Sequence, residues 1–464
     1  MQVTVSNNIR IKNPSEEILS WCQAHLKLPN PEYAKKVRMG FYTGNTPKFL
    51  YLYETHGEEI ILPYGTFKQI RPMLQDTSIQ SEFKLQESIE YGDPIPLYPY
   101  QEKAVEAVKQ AYYGILQSKA GSGKTRCGLA LIKEFGKRTL WITTTKDLLN
   151  QAKGNAEEFF DKALLGTITE GKVSIGRGIT FATVQTLCKL DLAQYKDIWD
   201  VIICDECHHI CGSPTTVTMF SKVLNNLAAR HKIGLTATPH RADGLMVATF
   251  ALIGEVVYAV PDEAVADRVV RVGILPIATG IGYSRECLNT DGTVNYTRLI
   301  GYLTNHPERN RMISNKIVEN RDKSCIILSD RLEQLEVLIN SLPSDMRGRA
   351  VMIHGGMVTK KAKAEREQAL EDMRIGRKKY LFATYSLARE GLDVPRLERL
   401  FMASPIKDKA WVIQSIGRIA RVFAGKSDPI CFDFVDEMKH MEKMYKKRCS
   451  IYRAENCYFM EDTE

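Results

Sequence analysis

The sequence predicts an α/β protein: two tandem parallel-sheet domains preceded by a small α+β accessory domain. Three observations predict it. From about Leu97 onward, short β-rich runs alternate with stretches of helical periodicity, the pattern of parallel strands joined by crossover helices. The alternation breaks near "AVPDEAVADRVVRVGILP" and then restarts. The first 95 residues carry a different pattern, a capped helix and a hairpin. The expected boundaries are 1–95, 96–265 and 266–464. A chain of 464 residues has room for three such parts, at roughly 150 residues per domain.

In the accessory part, "NPSEEILSWCQAHL" reads as a helix with Ser15 as N-cap and Glu16 and Glu17 in its first turn. "PKFLYLYETHGEEIILPYG" reads as a hairpin, with strands either side of Thr55-His56-Gly57. The stretch before it interleaves Lys35, Lys36, Arg38 and Lys48 with Phe41, Tyr42, Phe49, Tyr51 and Tyr53. Cations beside aromatics suit a DNA-facing surface. Against that, alternation in a half-buried strand sends about half of such aromatics into a core.

In the first large domain the strands are "GILQS" (114–118), "TLWITTT" (139–145), "ITFATV" (179–184), "VIICDE" (201–206) and "KIGLTAT" (232–238). In the second they are "KSCIILSD" (323–330), "RAVMIHGG" (349–356), "KYLFATYS" (379–386), "LERLFMASP" (397–405) and "PICFDFVD" (429–436), with "RLEQLEVLINSL" and "KKAKAEREQALEDM" as helices between them. "NTDGTV" (289–294) is expected to form a small hairpin at the start of this domain.

Composition narrows the class. The chain is 44% hydrophobic with a net charge of +8. Residues 1–95 hold 10 Lys/Arg against 11 Asp/Glu, whereas residues 271–421 hold 26 against 17. The basic surplus on the second large domain suits a polyanion. No apolar run reaches the roughly 18 residues of a membrane helix, and "MQVTVSNNIR" lacks a secretory apolar core, so a cytoplasmic protein is expected. The 11 cysteines, odd in number and scattered, read as reduced thiols. "CDECHHIC" has incomplete metal-ligand spacing for Cys204, Cys207 and Cys211 with His208 and His209.

The chemistry gathers in two places. Gly121-Ser122-Gly123-Lys124-Thr125 follows a strand and opens a helix, so backbone N–H groups and the helix N-terminus point at a phosphate. Lys124 can reach the β/γ-phosphates of ATP, and the Thr125 hydroxyl can ligate Mg²⁺. The motif is shorter than the full pattern, because Ser118 stands where its first Gly would be. Asp205 and Glu206 end the apolar strand "VIIC". Asp205 would hold Mg²⁺ through water, and Glu206 would deprotonate the attacking water.

Asp205-Glu206-Cys207-His208 resembles the DExH box of superfamily 2 helicases. "LYPYQEKAV", "TTTKDLLNQ", "FATVQTL", "LTATPHR", "ATYSLAREGLDVP" and "QSIGRIAR" resemble the other motifs of that family, in its order, across residues 97–436. "LYPYQ", "DECHH", "GLTATPHR", "PERNRMI" and "REGLDVP" together resemble the XPB-like branch, and within it compact phage DNA branch-migration helicases. The resemblance implies two RecA-like lobes that hydrolyse ATP with Mg²⁺. It implies Gln101 on the adenine, and Arg418 and Arg421, one helical turn apart, as charge-neutralising fingers. It implies His208, Thr236, Thr238 and Gln414 as coupling residues. Gly391 and Asp393 fall on the nucleotide side, while Thr183, Thr384 and the backbone around Gly391 fall on the nucleic-acid backbone. The expected partner is forked, branched or duplex DNA, bound without sequence readout by a monomer, in the host cytoplasm if the chain is phage-encoded. A DExH-type RNA helicase and an ATP-switched remodelling scaffold are the alternatives.

Overall fold

The computed structural model describes residues 1–74, 77–84, 87–119, 121–211, 213–237, 245–265, 270–357, 359–389 and 392–461. The chain separates into two compact units. One is Met1–Lys119 with Gly123–Ala264, and the other is Val265–Glu464 with Ala120–Ser122. No helix among the described residues is long and apolar enough to cross a membrane.

The first unit holds two large sheets. Five strands run in the order Glu54–His56, Glu59–Pro63, Asn8–Lys12, Gln2–Val5 and Ile79–Ser81. Helix Glu16–His25 starts where the sequence places it, with Ser15 Oγ accepting from the Ile18 N–H. The hairpin differs from expectation. Glu59–Pro63 is a strand, but its hairpin partner is Glu54–His56, and Phe49–Tyr51 pairs instead with Lys27–Pro29. The cause is a bend at Leu52 and Tyr53 that divides the apolar run in two.

The second sheet has eight strands, ordered Lys172–Ser174, Leu165–Thr169, Ile179–Thr183, Thr139–Thr143, Val201–Cys204, His231–Thr236, Gly114–Gln117 and Val256–Ala259. All pairings are parallel except that of the edge strand Lys172–Ser174. Parallel sheets are covered on both faces, so their strands are apolar throughout, and Thr139–Thr143, Ile179–Thr183 and Val201–Cys204 are buried end to end.

The two sheets share a core. Val3, Ile9, Ile60 and Leu62 cluster with Val217, Ala248 and Ala251 of the larger sheet's helices. Gly65 lies against the end of helix Met246–Ile253. A Cβ there would sit 2.5 Å from Gly254 N and 2.6 Å from the Ala251 and Phe250 carbonyl oxygens. Lys232, fully buried, donates to the Asn7 carbonyl at 2.8 Å and the Leu224 carbonyl at 2.7 Å, with its ammonium 5.2 Å from the centre of the Tyr64 ring.

The second unit is built on seven parallel strands, ordered Ala350–Ile353, Tyr380–Ala383, Cys325–Leu328, Arg399–Met402, Ile430–Val435, Gly273–Ala278 and Tyr458–Phe459. Apolar clusters cover both faces. Buried Arg448 grips buried Asp433 with two bonds, 2.8 and 2.6 Å, which ties helix Lys439–Ala454 to the sheet. "NTDGTV" forms a small turn closed by an antiparallel bridge between Leu288 and Val294.

Candidate functional site

In open α/β sheets, ligands bind beyond the carboxyl ends of the strands. Three adjacent strands of the first unit deliver their ends together. Gly114–Gln117 leads to the glycine loop, Val201–Cys204 to the acidic pair, and His231–Thr236, between them, ends on Thr236.

Helix Lys124–Phe135 begins directly after Gly123. Gly121 and Gly123 both adopt positive φ, 83° and 84°, which side-chain-bearing residues rarely hold. A Cβ on Gly123 would also collide with the Gln101 amide nitrogen. Gln101 is buried on helix Pro99–Ala111 and accepts from the Tyr98 N–H at 3.0 Å. Its side chain therefore braces both a helix start and the phosphate loop. Lys124 and Ser122 are buried and Thr125 is half-buried in the first helical turn.

Glu206 holds a left-handed backbone (φ 46°, ψ 51°), sparsely populated for such a residue and a sign of a constrained site. Its N–H donates to Asp205 Oδ1 at 3.0 Å. Lys124 Nζ stands 3.7 Å from Glu206 Oε1, and His208 Nδ1 stands 3.3 Å from Glu206 Oε2. The same His208 nitrogen lies 3.0 Å from the Thr236 hydroxyl. Lysine, glutamate, histidine and threonine form one connected polar path.

The electrostatics separate the two carboxylates. Burial and the charge of Glu206 push Asp205 above the usual carboxylate range. Burial also works against Glu206, but Lys124 and the hydrogen bond from His208 outweigh it and hold Glu206 well below that range. Glu206 is thus held ionised by its neighbours, while Asp205 carries an uncompensated burial penalty of the kind a bound cation relieves. Asp205 and the Thr125 hydroxyl are the oxygen donors that would hold Mg²⁺.

Cys207 packs against Gly234, where a Cβ would meet its Sγ at 2.7 Å, and Cys211 donates to the His208 carbonyl. Burial raises the Cys204 and Cys207 thiols, as suits packed and unreactive side chains. Among the described residues no group of three His, Cys, Asp or Glu is placed to hold a metal.

Thr183 is buried at its strand end, its hydroxyl 3.0 Å from that of Thr186. In the second unit, Thr384 is half-buried, 3.1 Å from the Ser386 hydroxyl. Thr238 and Gly391 lie outside the described residues.

Arg418 and Arg421 correct the sequence reading in one respect. Helix Lys409–Ile419 ends before Arg421, so the two do not share a helical face. They converge instead on the earlier segment Leu392-Asp393. Arg418 donates to the Leu392 carbonyl at 2.7 Å and Arg421 pairs with the Asp393 carboxylate. Gln414 is on the same helix, its buried Oε1 without a hydrogen bond among the described residues.

Lys426 is a residue that motif reading missed. Gly425, at φ 76°, turns the chain back, with the Lys426 N–H bonded to the Phe423 carbonyl. The Lys426 ammonium then donates to the carbonyls of Ile419 and Arg421, while Ala420 O accepts from the Val270 N–H. Three consecutive carbonyls at the helix end are thus satisfied. Burial pulls Lys426 down to about 8. Glu398 anchors the next residue, accepting from the Ser427 N–H and hydroxyl at 2.9 and 2.6 Å.

Comparison with known proteins agrees with this arrangement. Residues 94–241 match the family "Type III restriction enzyme, res subunit", and residues 308–423 match "Helicase conserved C-terminal domain". The "Probable helicase D10" of Escherichia phage T5 is 27% identical over 375 residues, 80% of this chain and 76% of that protein. The "DNA 3'-5' translocase XPB2" of Sulfurisphaera tokodaii is 23% identical over 388 residues, 76% of this chain and 86% of that one. The fold is similar to that of S. cerevisiae Dbp5 bound to RNA and ADP BeF3, with a TM-score of 0.55 at 17% identity, covering 86% of this chain and 93% of the other. With a glycine loop and acidic pair at strand ends flanking His231–Thr236, and both family matches in sequence order, the chain belongs to the superfamily 2 helicases, enzymes built of tandem RecA-like domains that hydrolyse ATP.

Proposed function

We propose that this helicase is an ATP-dependent DNA helicase or translocase of the DExH type, one that unwinds, anneals or branch-migrates DNA as a monomer. The observation that carries the proposal is the path from Lys124 through Glu206 and His208 to Thr236. It joins the nucleotide end of the site to the strand end that follows it in the sheet. The choice of DNA is supported by the relative named as a DNA translocase.

In this reading Gly121, Ser122, Gly123 and Lys124 cradle the ATP phosphates, and Gln101 reads the adenine. Bound Mg²⁺, held by Thr125 and Asp205, would offset the phosphate charge. Glu206 takes the proton of the attacking water. Arg418 and Arg421 neutralise charge on the γ-phosphoryl group, held by the Leu392 carbonyl and the Asp393 carboxylate, and Gly391 and Asp393 belong to the nucleotide side. His208, Thr236, Thr238 and Gln414 report the nucleotide state, and Thr183 and Thr384 hold the nucleic-acid backbone. The division into 1–95, 96–265 and 266–464 is part of the same proposal.

The test is steady-state ATPase activity of the wild type and Lys124→Ala at one salt concentration. Each is assayed alone and with single-stranded DNA, duplex DNA, a four-way junction and single-stranded RNA. Stimulation by DNA, strongest with the junction and lost in the variant, is expected. Stimulation by RNA alone would move the chain to the RNA-helicase reading.

A further inference from the structure

The accessory part carries an unusual surface between residues 27 and 51. Alternation predicts that about half its aromatics are core, yet none of the five interleaved aromatics is fully buried. Tyr42 is 91% exposed, Phe41 63% and Tyr51 56%, while Phe49 and Tyr53 are half-buried. The two-stranded ribbon explains which side chains face outward. Lys27 pairs with Tyr51, Leu28 with Leu50 and Pro29 with Phe49. Leu28 and Leu50 turn onto the apolar core beneath. The opposite face presents Lys27, Phe49 and Tyr51. Lys27 Nζ lies 4.6 Å from the centre of the Phe49 ring and 5.7 Å from that of Tyr51, and Lys48 Nζ lies 5.5 Å from Phe49.

Charge is segregated in the same place. Residues 27–51 hold five Lys/Arg and one acidic residue, whereas the rest of residues 1–95 holds five Lys/Arg and ten acidic residues. Helix Pro31–Arg38 gathers Lys35, Lys36 and Arg38 in its last turn. Exposed rings beside concentrated cations, on an otherwise acidic part of the chain, match a ligand with flat apolar faces on a polyanionic backbone. Duplex DNA hides its base faces in the stack, whereas a single strand offers them.

We infer that residues 27–51 form a platform for single-stranded DNA. Tyr42, Tyr51 and Phe41 stack on bases, and Lys27, Lys35, Arg38 and Lys48 hold phosphates. The inference rests on the proposed action on DNA and adds to it a binding site outside the helicase motifs.

The test measures binding of the full chain to a fluorescent 20-nucleotide oligo-dT and to a 20-base-pair duplex over a salt series. The variants are Tyr42→Ala/Tyr51→Ala and Lys35→Gln/Arg38→Gln/Lys48→Gln, with circular dichroism melts confirming the fold. The ring variant should bind oligo-dT about 10-fold or more weakly, with duplex binding and salt slope unchanged. The charge variant should flatten the slope, by roughly 0.7 for each phosphate no longer neutralised. Wild-type affinity for oligo-dT in both variants would overturn the platform while leaving the action on DNA standing, as would equal losses on oligo-dT and duplex. Failure of the wild type to bind any DNA would overturn both. An oligo-U arm that alone shows the ring-dependent loss would assign the platform to RNA and overturn the inference as stated.

Discussion

Lys124 Nζ stands 3.7 Å from Glu206 Oε1, so the cation that would meet the ATP phosphates first stabilises the ionised state of the carboxylate proposed as base. The pair is shielded, with Lys124 8% and Glu206 24% exposed at the side chain. In the proposed mechanism, the residue for binding and the residue for chemistry are therefore paired before any nucleotide arrives. Glu206→Gln should still bind ATP, with kcat lowered by about 10²- to 10⁴-fold, because the amide accepts no proton. Lys124→Ala should lose both binding and turnover. A nucleotide-binding titration beside the ATPase assay separates the two. Equal turnover in wild type and Glu206→Gln would remove Glu206 from the mechanism.

Lys426 should matter for turnover without touching nucleotide. Its ammonium closes the Ile419 and Arg421 carbonyls and so fixes the backbone that carries Arg421. Lys426→Met should lower kcat by about 10-fold or more with KM nearly unchanged, because a finger displaced by an ångström no longer reaches the transition state. Lys426→Arg should restore much of the rate. A variant that raises KM alone would contradict this role.

Lys232 predicts a pH dependence of stability. Burial lowers its pKa to about 7 in the folded chain, against an ordinary value near 10.5. Between those values the unfolded chain binds the extra proton, so stability rises with pH there, by about 1 kcal/mol per unit, and is flat below about 7. The difference in unfolding free energy between wild type and Lys232→Met should show that slope from pH 7 to pH 10. A difference independent of pH would mean that burial does not lower the Lys232 pKa in the folded chain.

Gly65→Ala should loosen the joint between the two sheets of the first unit. The added methyl would stand 2.5–2.6 Å from three backbone atoms, none of which can rotate away. A loss of about 1–3 kcal/mol in chemical unfolding is expected, typical of overpacking at a tight contact. Unchanged stability would show that the neighbouring backbone yields.

The parallel strands were legible because burial on both faces leaves continuous apolar runs. "VIIC" and "KYLFA" contain Val201–Cys204 and Tyr380–Ala383 with little ambiguity. Strand Gly273–Ala278 was not legible, since Pro276 argues against a strand interior. It is tolerated because Tyr458–Phe459 pairs only with Gly273 and Ile274, leaving the rest of that edge uncovered. The hairpin around Gly57 was half-legible, because a bend rather than a turn residue divides the first strand. Among the site residues, the glycine loop and acidic pair carry their chemistry in their order. Arg421 does not, because helical spacing placed it on a face that the helix no longer has. Lys426 carries no motif at all. Its role comes from a glycine turn that returns it to carbonyls five and seven residues back.

Strand His231–Thr236 has a different job at each end. Near its start, Lys232 is bonded to Asn7, in the turn between accessory strands Gln2–Val5 and Asn8–Lys12, and at its finish Thr236 touches the histidine beside the proposed base. Four steps of extended chain, about 13 Å, separate them. An extended strand flanked by neighbours on both sides is a strut, stiff along its length. The accessory part and the proposed base are thus tied to the two ends of one rod.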